Sequence, residues 1–514
     1  MSVDTIINAF GMVMTFEVLA VMVIAAIYGL FVGAIPGLTA TMAIALMVPV
    51  TFFMDPVPAI SAIVTMAAMA IFSGDLPAVY MRMPGTPASA AYTEPCYGLA
   101  QRGLGEYALS MSAISSAIGG SIGVLALILF APFLAEFALN FSSFEYFWLA
   151  CMGLTAAIAV SDSSPVKGAI SLLLGLLVAS VGLDPVSGEA RFTFGNADLL
   201  GGLGFIPVII GLFAVAEILR FCTRNSRAGN SRQAALVAQK PMLLQALRDI
   251  FKYKAGVGQG SFVGVLVGIL PGAGADVAAY ISYAMSKRAA ARRTTPDEVN
   301  MAKIVPATAA NNAAVGGSFI PATVFGIPGD SLTAIVIGVL FMKGLNPGPT
   351  IFTENADMIN AVFLAFLLAN ILLIPFGFLA IKLFKRVLQV PQSILMPVIL
   401  AFSIVGAFAV ENTLFAIVTI LAFGIVGFLM EENGFPLAPM ILGIVLGPML
   451  EETFITSMMR AQGDLMVFLE RPVSLALAII TLSLWMLPLL LRVLKRRAGI
   501  TAPPPAHPKE ECSQ

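Results

Sequence analysis

Four hydroxyl side chains follow closely on two Pro-Gly pairs: Thr39 and Thr41 after Pro36-Gly37, and Thr86 and Ser89 after Pro84-Gly85. Gly274 follows a third pair, Pro271-Gly272, and Ser331 and Thr333 follow a fourth, Pro328-Gly329. Proline breaks a helical ladder, and glycine lets backbone approach a ligand closely. Each pair should therefore end one half-helix and begin another. The second half-helix then offers unpaired N–H groups and a positive dipole end, which together make an anion site. Freed carbonyls at the end of the preceding half-helix could coordinate Na⁺. A simple proline kink is the competing reading. Duplication weighs against it: FVGAIPGLTAT at 31–41 is echoed by LVGILPGAGAD at 266–276, and MPGTPASA at 83–90 by IPGDSLTA at 327–334. The corresponding Pro-Gly pairs lie 235 and 244 positions apart.

Three acids stand beside these loops, Asp75, Asp276 and Asp330. An acid within the membrane is a functional candidate by default, so each could bind a coupling cation or pair with a basic group such as Arg82. The bland alternative is a loop-end carboxylate in water or at a helix N-cap. Arg82 itself could meet a substrate carboxylate bidentately or snorkel to the surface. Glu431, Glu432, Glu451 and Glu452 flank late apolar runs and read as interfacial. Asn311 and Asn312 interrupt a segment of small apolar residues. Buried amides can donate to carboxylates and accept from cations. They can equally glue helices together alongside Gly316 and Gly317.

The elements that must carry these residues are membrane helices. Of 514 residues, 59% are hydrophobic and 11% charged, with a mean hydropathy of +0.94. Soluble domains carry roughly 25% charged residues. The fold class is an all-α polytopic membrane protein, with room for 10 to 14 spans, some as Pro-Gly-broken helices or re-entrant hairpins. The cysteines, Cys96, Cys151, Cys222 and Cys512, are too scattered for a zinc site or a disulfide framework. The single histidine, His507, sits in a Pro-rich tail, which excludes a histidine relay or haem ligation. No cofactor is expected beyond Na⁺ as a possible coupling ion. Val18–Phe31 reads as a first span rather than a cleaved signal, because no basic region precedes it.

Charge placement sets an expected topology. No Lys or Arg precedes Arg82, whereas Arg220–Lys254 carries eight basic residues against Asp249 alone. Further basic clusters fall at 287–293, 382–386 and 492–497. By the positive-inside rule the N-terminus is outside, the central segment cytoplasmic and the C-terminus cytoplasmic. An odd number of crossings in the first half then makes the two repeats inverted, as in many transporters with sites at a repeat interface. Tandem repeats of the same orientation are the alternative. The expected units are a first transmembrane repeat at 1–221, a basic cytoplasmic linker at 222–254 and a second repeat at 255–450. A C-terminal span at 451–498 and a disordered tail at 499–514 follow.

The longest strings are GAIPGLTATMAIALMVPVTF at 33–52, MPGTPASAAYTEPCYGLAQRG at 83–103, GILPGAGADVAAYISYAMSKR at 268–288, and AANNAAVGGSFIPATVFGIPGDSLTAIVIGVLFMKGLNPGPTIF at 309–352. Together they resemble the TctA family, the large membrane subunit of tripartite tricarboxylate transporters, over about residues 15–490. The resemblance implies a secondary transporter, not an enzyme, that imports a tricarboxylate or other small organic carboxylate on a Na⁺ or H⁺ gradient across a bacterial inner membrane. It implies two protein partners, a small four-span TctB-like subunit and a periplasmic TctC-like solute-binding protein. Membrane lipid and the carboxylate complete the set, with no nucleic acid. The family's sites would map onto 36–41, 84–89, 271–276 and 328–333, with Asn311 and Asn312 nearby. Family members more often carry a small hydroxyl residue at the positions of Asp276 and Asp330. Two extra carboxylates disfavour a citrate-like trianion and suggest a smaller acid or an altered cation requirement.

Two other classes compete. An organic-anion channel or stand-alone carrier would need no binding protein. An intramembrane aspartyl protease could use Asp276 with Asp330 as a dyad, but would leave the duplicated hydroxyl loops without a role.

Overall fold

A computed structural model of the chain describes residues 3–35, 38–160, 164–184, 187–224, 242–387 and 392–497. Pro36 and Gly37, linker residues 225–241 and the tail at 499–514 lie outside the described residues. A chain in hydrocarbon must satisfy its own backbone N–H and C=O groups, and helices do so within one segment. The first half runs through α1 (Val3–Val13), α2 (Phe16–Gly33), α3 (Ala40–Phe52), α4 (Pro56–Ser73), α5 (Asp75–Met81) and α6 (Pro87–Ala90). It continues with α7 (Thr93–Gln101), α8 (Gly105–Ala138), α9 (Ser143–Val160), α10 (Pro165–Ala179), α11 (Phe205–Ile210) and α12 (Ala216–Arg224). A π-helical segment, Gly211–Val215, joins α11 to α12.

The second half opens with α13 (Leu243–Asp249), α14 (Lys254–Ile269), α15 (Gly274–Ala290), α16 (Pro296–Phe325), α17 (Ser331–Met342) and α18 (Ile351–Glu354). It closes with α19 (Ala356–Val387), α20 (Gln392–Glu411), α21 (Leu414–Glu432), α22 (Leu437–Arg460), α23 (Val467–Glu470) and α24 (Pro472–Arg497). Among the described residues the only sheet is a two-residue hairpin pairing Gly182–Leu183 with Ala190–Arg191. Among the described residues seven helices are long and apolar enough to cross a membrane, and five shorter apolar helices accompany them. The protein is thus an all-α polytopic membrane protein. Helix α22 runs unbroken through residue 450, so the border expected between second repeat and C-terminal span falls inside a helix. A turn follows Arg460, before α23 and α24.

Glycines decide how the helices pack. Gly29 and Gly33 on α2 lie against the backbone of Met66 and Ala70 on α4, so the two helices run parallel. In the second half Gly264 and Gly268 on α14 lie against Ala310 and Ala314 on α16 in the same way. A Cβ at Gly29 would stand 2.8 Å from the Met66 carbonyl oxygen, and one at Gly264 2.5 Å from that of Ala310. Small residues let membrane helices approach this closely, where dispersion contacts and not water exclusion drive association.

Contacts between the halves fix direction. Gly119 and Gly123 set α8 parallel to α16, against Ala309 and Ala313. Gly120 meets Asn370 and Ala113 approaches Gly377, so α8 and α19 run antiparallel. Asn8 on α1 bonds Asp357 at the start of α19 (3.2 Å). Tyr107 at the start of α8 bonds Asp249 at the end of α13 (3.0 Å). Hence α2, α4 and α19 start at one end of the bundle, and α8, α14 and α16 at the other. The pairs α2–α3 and α14–α15 therefore begin at opposite ends of the bundle.

Candidate functional site

The short helices begin where the long ones break. Thr39 caps α3 by accepting from the Met42 N–H (3.2 Å). Thr86 caps α6 in a capping box with Ser89, each side chain serving the other's backbone N–H at 3.2 Å. Asp330 and Thr333 form the same box at the start of α17, at 2.8 and 2.9 Å. Such caps leave the helix start well defined and orient its positive end. The start of α15 is reached through Gly272 and Gly274 at φ +81° and +62°, a left-handed geometry that glycine adopts without a steric cost.

Four backbone breaks lock together. The Gly272 N–H donates to the Gly329 carbonyl (2.8 Å), joining the two loops of the second half. In the first half the Gly85 N–H donates to the Gly74 carbonyl (3.1 Å). Between halves, the Thr41 and Ser331 hydroxyls meet at 3.5 Å, and the Ala88 N–H donates to Asp276 Oδ1 at 2.9 Å.

These loops enclose a cavity of about 640 Å³, within the usual range for a small-molecule site. Thr39, Thr41, Thr86, Gly272, Gly274 and Ser331 all stand on its wall. So do Asn311, Asp276 and Asp330. The starts of α3, α15 and α17, each at least 12 residues long, converge on this one space. Aligned peptide dipoles place partial positive charge there.

Other expected residues lie outside the cavity lining. Ser89 completes its cap, and Pro328 and Gly329 are buried. A Cβ at Gly329 would sit 2.5 Å from that of Ser318. Gly85 is likewise pressed on Gly74, where its Cβ would lie 2.7 Å from the Gly74 Cα. Pro271 is buried and Pro84 exposed. Asn312 is buried with both amide atoms unpaired by protein groups. Asp75 is buried away from the cavity lining, accepting from the hydroxyls of Tyr92 (2.8 Å) and Ser112. Tyr92 in turn lies beside Asn311. Arg82 does not pair with Asp75: it binds Glu94 at 2.8 Å and both side chains are exposed, because the left-handed turn at Arg82 points it outward.

The opposite wall was not foreseen. Arg220 on α12 lines the cavity, as do Phe213 of the π-helical segment and Glu431 and Glu432 at the end of α21. Arg220 pairs with Glu217 (2.7 Å) and with Glu431. The two glutamates expected at an interface therefore face the site. Arg220 counted in the sequence only toward a basic cytoplasmic segment. Its signal was its place at the end of the apolar run 204–221. A π-helical turn in such a run frequently marks a functional position. Glu451, by contrast, pairs with Arg191 of the small hairpin, and Glu452 lines a second cavity of about 720 Å³. That cavity lies further along α17 and α22, past Ile337 and Ile444, and its wall is mainly apolar.

Comparison with known proteins finds one family and two relatives. The family described as "Tripartite tricarboxylate transporter TctA family" matches residues 19–442. An Agrobacterium vitis relative, "Uncharacterized 52.8 kDa protein in TAR-I ttuC' 3'region", is 31% identical over 470 residues, covering 91% of this chain and 92% of the relative. A second from the same organism, "Uncharacterized protein in TAR-II ttuC' 3'region", is 31% identical over 228 residues, covering 44% of this chain and 94% of its own. No solved structure matches. The match spans the cavity-forming breaks of both halves, and the chain belongs to the TctA family, the membrane subunits of tripartite tricarboxylate transporters.

Proposed function

We propose that this subunit carries a small organic carboxylate across a bacterial inner membrane, driven by a Na⁺ or H⁺ gradient and supplied by a periplasmic binding protein. The observation that carries this reading is the convergence of three long helix starts and the duplicated hydroxyl loops on one cavity. A carboxylate there would meet the N-terminal turns of α3, α15 and α17 together with Thr39, Thr41, Thr86, Asn311 and Ser331. Asp276 and Asp330 are the candidates for holding the coupling ion, since each bears a carboxylate on the same wall. Asp75 is a third, reached through Tyr92 and Asn311.

The opposed hairpins α2–α3 and α14–α15 support inverted repeats, with the N-terminus outside and the C-terminus inside. Each half then contributes one hairpin tip and one broken helix to the site. Two cavities set end to end along α17 and α22 fit alternating access, in which one side opens as the other closes. The small four-span subunit and the binding protein complete the transporter.

Reconstitution tests the reading. The complex, placed in proteoliposomes with its binding protein, is given labelled di- and tricarboxylates under imposed Na⁺ or pH gradients. Accumulation above equilibrium that requires the binding protein is the expected result and names substrate and ion together. Uptake that only equilibrates points to a channel, and uptake without the binding protein to a stand-alone carrier.

A further inference from the structure

We propose that Arg220 is a substrate-docking residue, and that an incoming carboxylate takes the place of Glu431 on its guanidinium. This rests on the carboxylate-carrier reading above and assigns to that site a residue on its second wall.

Charge on the cavity wall sets the problem. Asp276, Asp330, Glu431 and Glu432 all line it, and Arg220 is the one basic side chain doing so among the described residues. An anion moving along this wall meets four carboxylates. Helix starts offset part of that repulsion on the far side, where Asp330 is already bonded within its cap and Asp276 to the Ala88 N–H. On the near side only Arg220 can do so.

Arg220 is built for exchange rather than for a fixed pair. Its side chain is 16% exposed and Glu217, one turn earlier on the same helix, is 15% exposed. That contact orients the guanidinium and stays. Glu431, on the other helix, is 34% exposed and can return to water at small cost. Replacing one carboxylate by another on a guanidinium keeps the number of charge-assisted bonds constant. The planar fork also accepts a second carboxylate geometry that an ammonium would not. Gly211 and Gly427 hold the two helices in register: a Cβ at either would lie 2.6 or 2.7 Å from a carbonyl oxygen of the facing helix. Arg220 and Glu431 thus face each other across a rigid helix pair, and the side chains carry the exchange.

Radiolabelled citrate and succinate, exchanged across proteoliposomes holding the complete complex, provide the test. The reading is the half-saturating concentration on the side to which the Arg220 wall opens. Arg220→Gln should raise it about tenfold or more, with Arg220→Lys in between. Glu431→Gln frees the guanidinium and should lower it about threefold, in a protein that keeps Arg220 and its Glu217 contact. Opposite shifts in the two variants support docking. Shifts in the same direction mean that the pair is only a clamp, and no shift in either means that the substrate bypasses Arg220; both overturn the inference. If the wild-type complex exchanges neither of these acids nor any other carboxylate of the uptake panel, the carrier reading falls and the inference with it. Exchange by wild type without opposed shifts removes the inference alone.

Discussion

The two halves of the cavity use one backbone plan and two different chemistries. Thr41 and Asp276, 235 positions apart, both reach across to the other half's break. Thr86 and Asp330, 244 apart, both cap a helix through a box with a hydroxyl three residues on. In the first half these positions are neutral, and its cross-contact is a long hydroxyl pair at 3.5 Å. In the second they are acidic, and the cross-contact is a carboxylate receiving an N–H at 2.9 Å. Bonds to charged groups are shorter and stronger than neutral ones. The amides continue the pattern, since Asn311 and Asn312 stand 244 positions after Ala67 and Ala68. Geometry is therefore shared between the halves while charge is concentrated in one. Anion-binding backbone comes from both, and the groups able to hold a cation come mainly from the second.

The strongest way to break this comparison is to attack what the halves share. Gly29→Leu and Gly264→Leu each force a side chain into a facing backbone carbonyl. Overpacking costs about 1–3 kcal/mol where neighbours can yield, and backbone yields least. Both variants should lose most folded protein in detergent thermal unfolding, and to a similar extent. A large loss at one site with tolerance at the other would show that the two helix pairs do not carry equal load.

Exchanging the chemistry while sparing the geometry comes next. Asp330→Asn retains a good N-cap residue, so stability should change by less than about 1 kcal/mol. Asp276→Thr gives the second half the residue of the first. Each should shift the Na⁺ concentration or pH at half-maximal uptake by about tenfold, or one pH unit, because a carboxylate contributes several charge-assisted contacts to a bound cation. The mirror changes, Thr41→Asp and Thr86→Asp, should instead weaken substrate uptake. Cation dependence that is identical across all four variants would remove the division of labour.

How far these features could be read in advance depended on whether they repeat along the chain or only meet across it. The Pro-Gly breaks, the hydroxyls after them, and Asp276 and Asp330 were visible because they recur at fixed offsets in apolar surroundings. Their convergence followed from helix-end electrostatics and is found for nine of the expected residues. Arg220, Glu431 and Glu432 were not connected with the cavity, because hydropathy and charge counts register where a residue lies along the chain, not which face of its helix it occupies. At the end of a span those two descriptions part. Asp75 stands out as an acid among apolar residues, yet its partners Tyr92 and Ser112 are 17 and 37 positions away, in the turn before α7 and on α8, with no periodic relation to reveal them.

A smaller effect separates the two amides. Asn311 lines the cavity and Asn312 does not. Asn311→Ala should lower uptake about tenfold with little change in thermal stability. Asn312 is buried with unpaired donors and acceptor. Removing such an amide relieves a desolvation penalty of about 1–3 kcal/mol, against the cost of the space left behind. Asn312→Ala should therefore leave both stability and uptake near wild type. A fall in uptake there would mean that the amide serves an ion or water in the working protein.

The smallest expected effect concerns the struts at the two ends of the bundle. Asn8 to Asp357 ties α1 to α19, and Tyr107 to Asp249 ties α8 to α13. Burial raises the Asp249 carboxyl, but bonds from Lys252, Tyr107 and Gln245 together outweigh it and hold the group below its ordinary value. A carboxylate whose value is depressed by folding stabilises the fold above the unfolded value of about 4, and that contribution is lost as pH falls through the folded value. Thermal stability measured from pH 7 down to pH 3 should thus decline in the acid limb partly through Asp249. Asp249→Asn should flatten that limb, and Tyr107→Phe should flatten it less, because the 2.7 Å pair with Lys252 remains. The pair is partly exposed, so salt should weaken the difference. If Asp249→Asn leaves the acid limb unchanged, the α8–α13 strut bears no charge-dependent load, and the charge asymmetry is confined to the cavity.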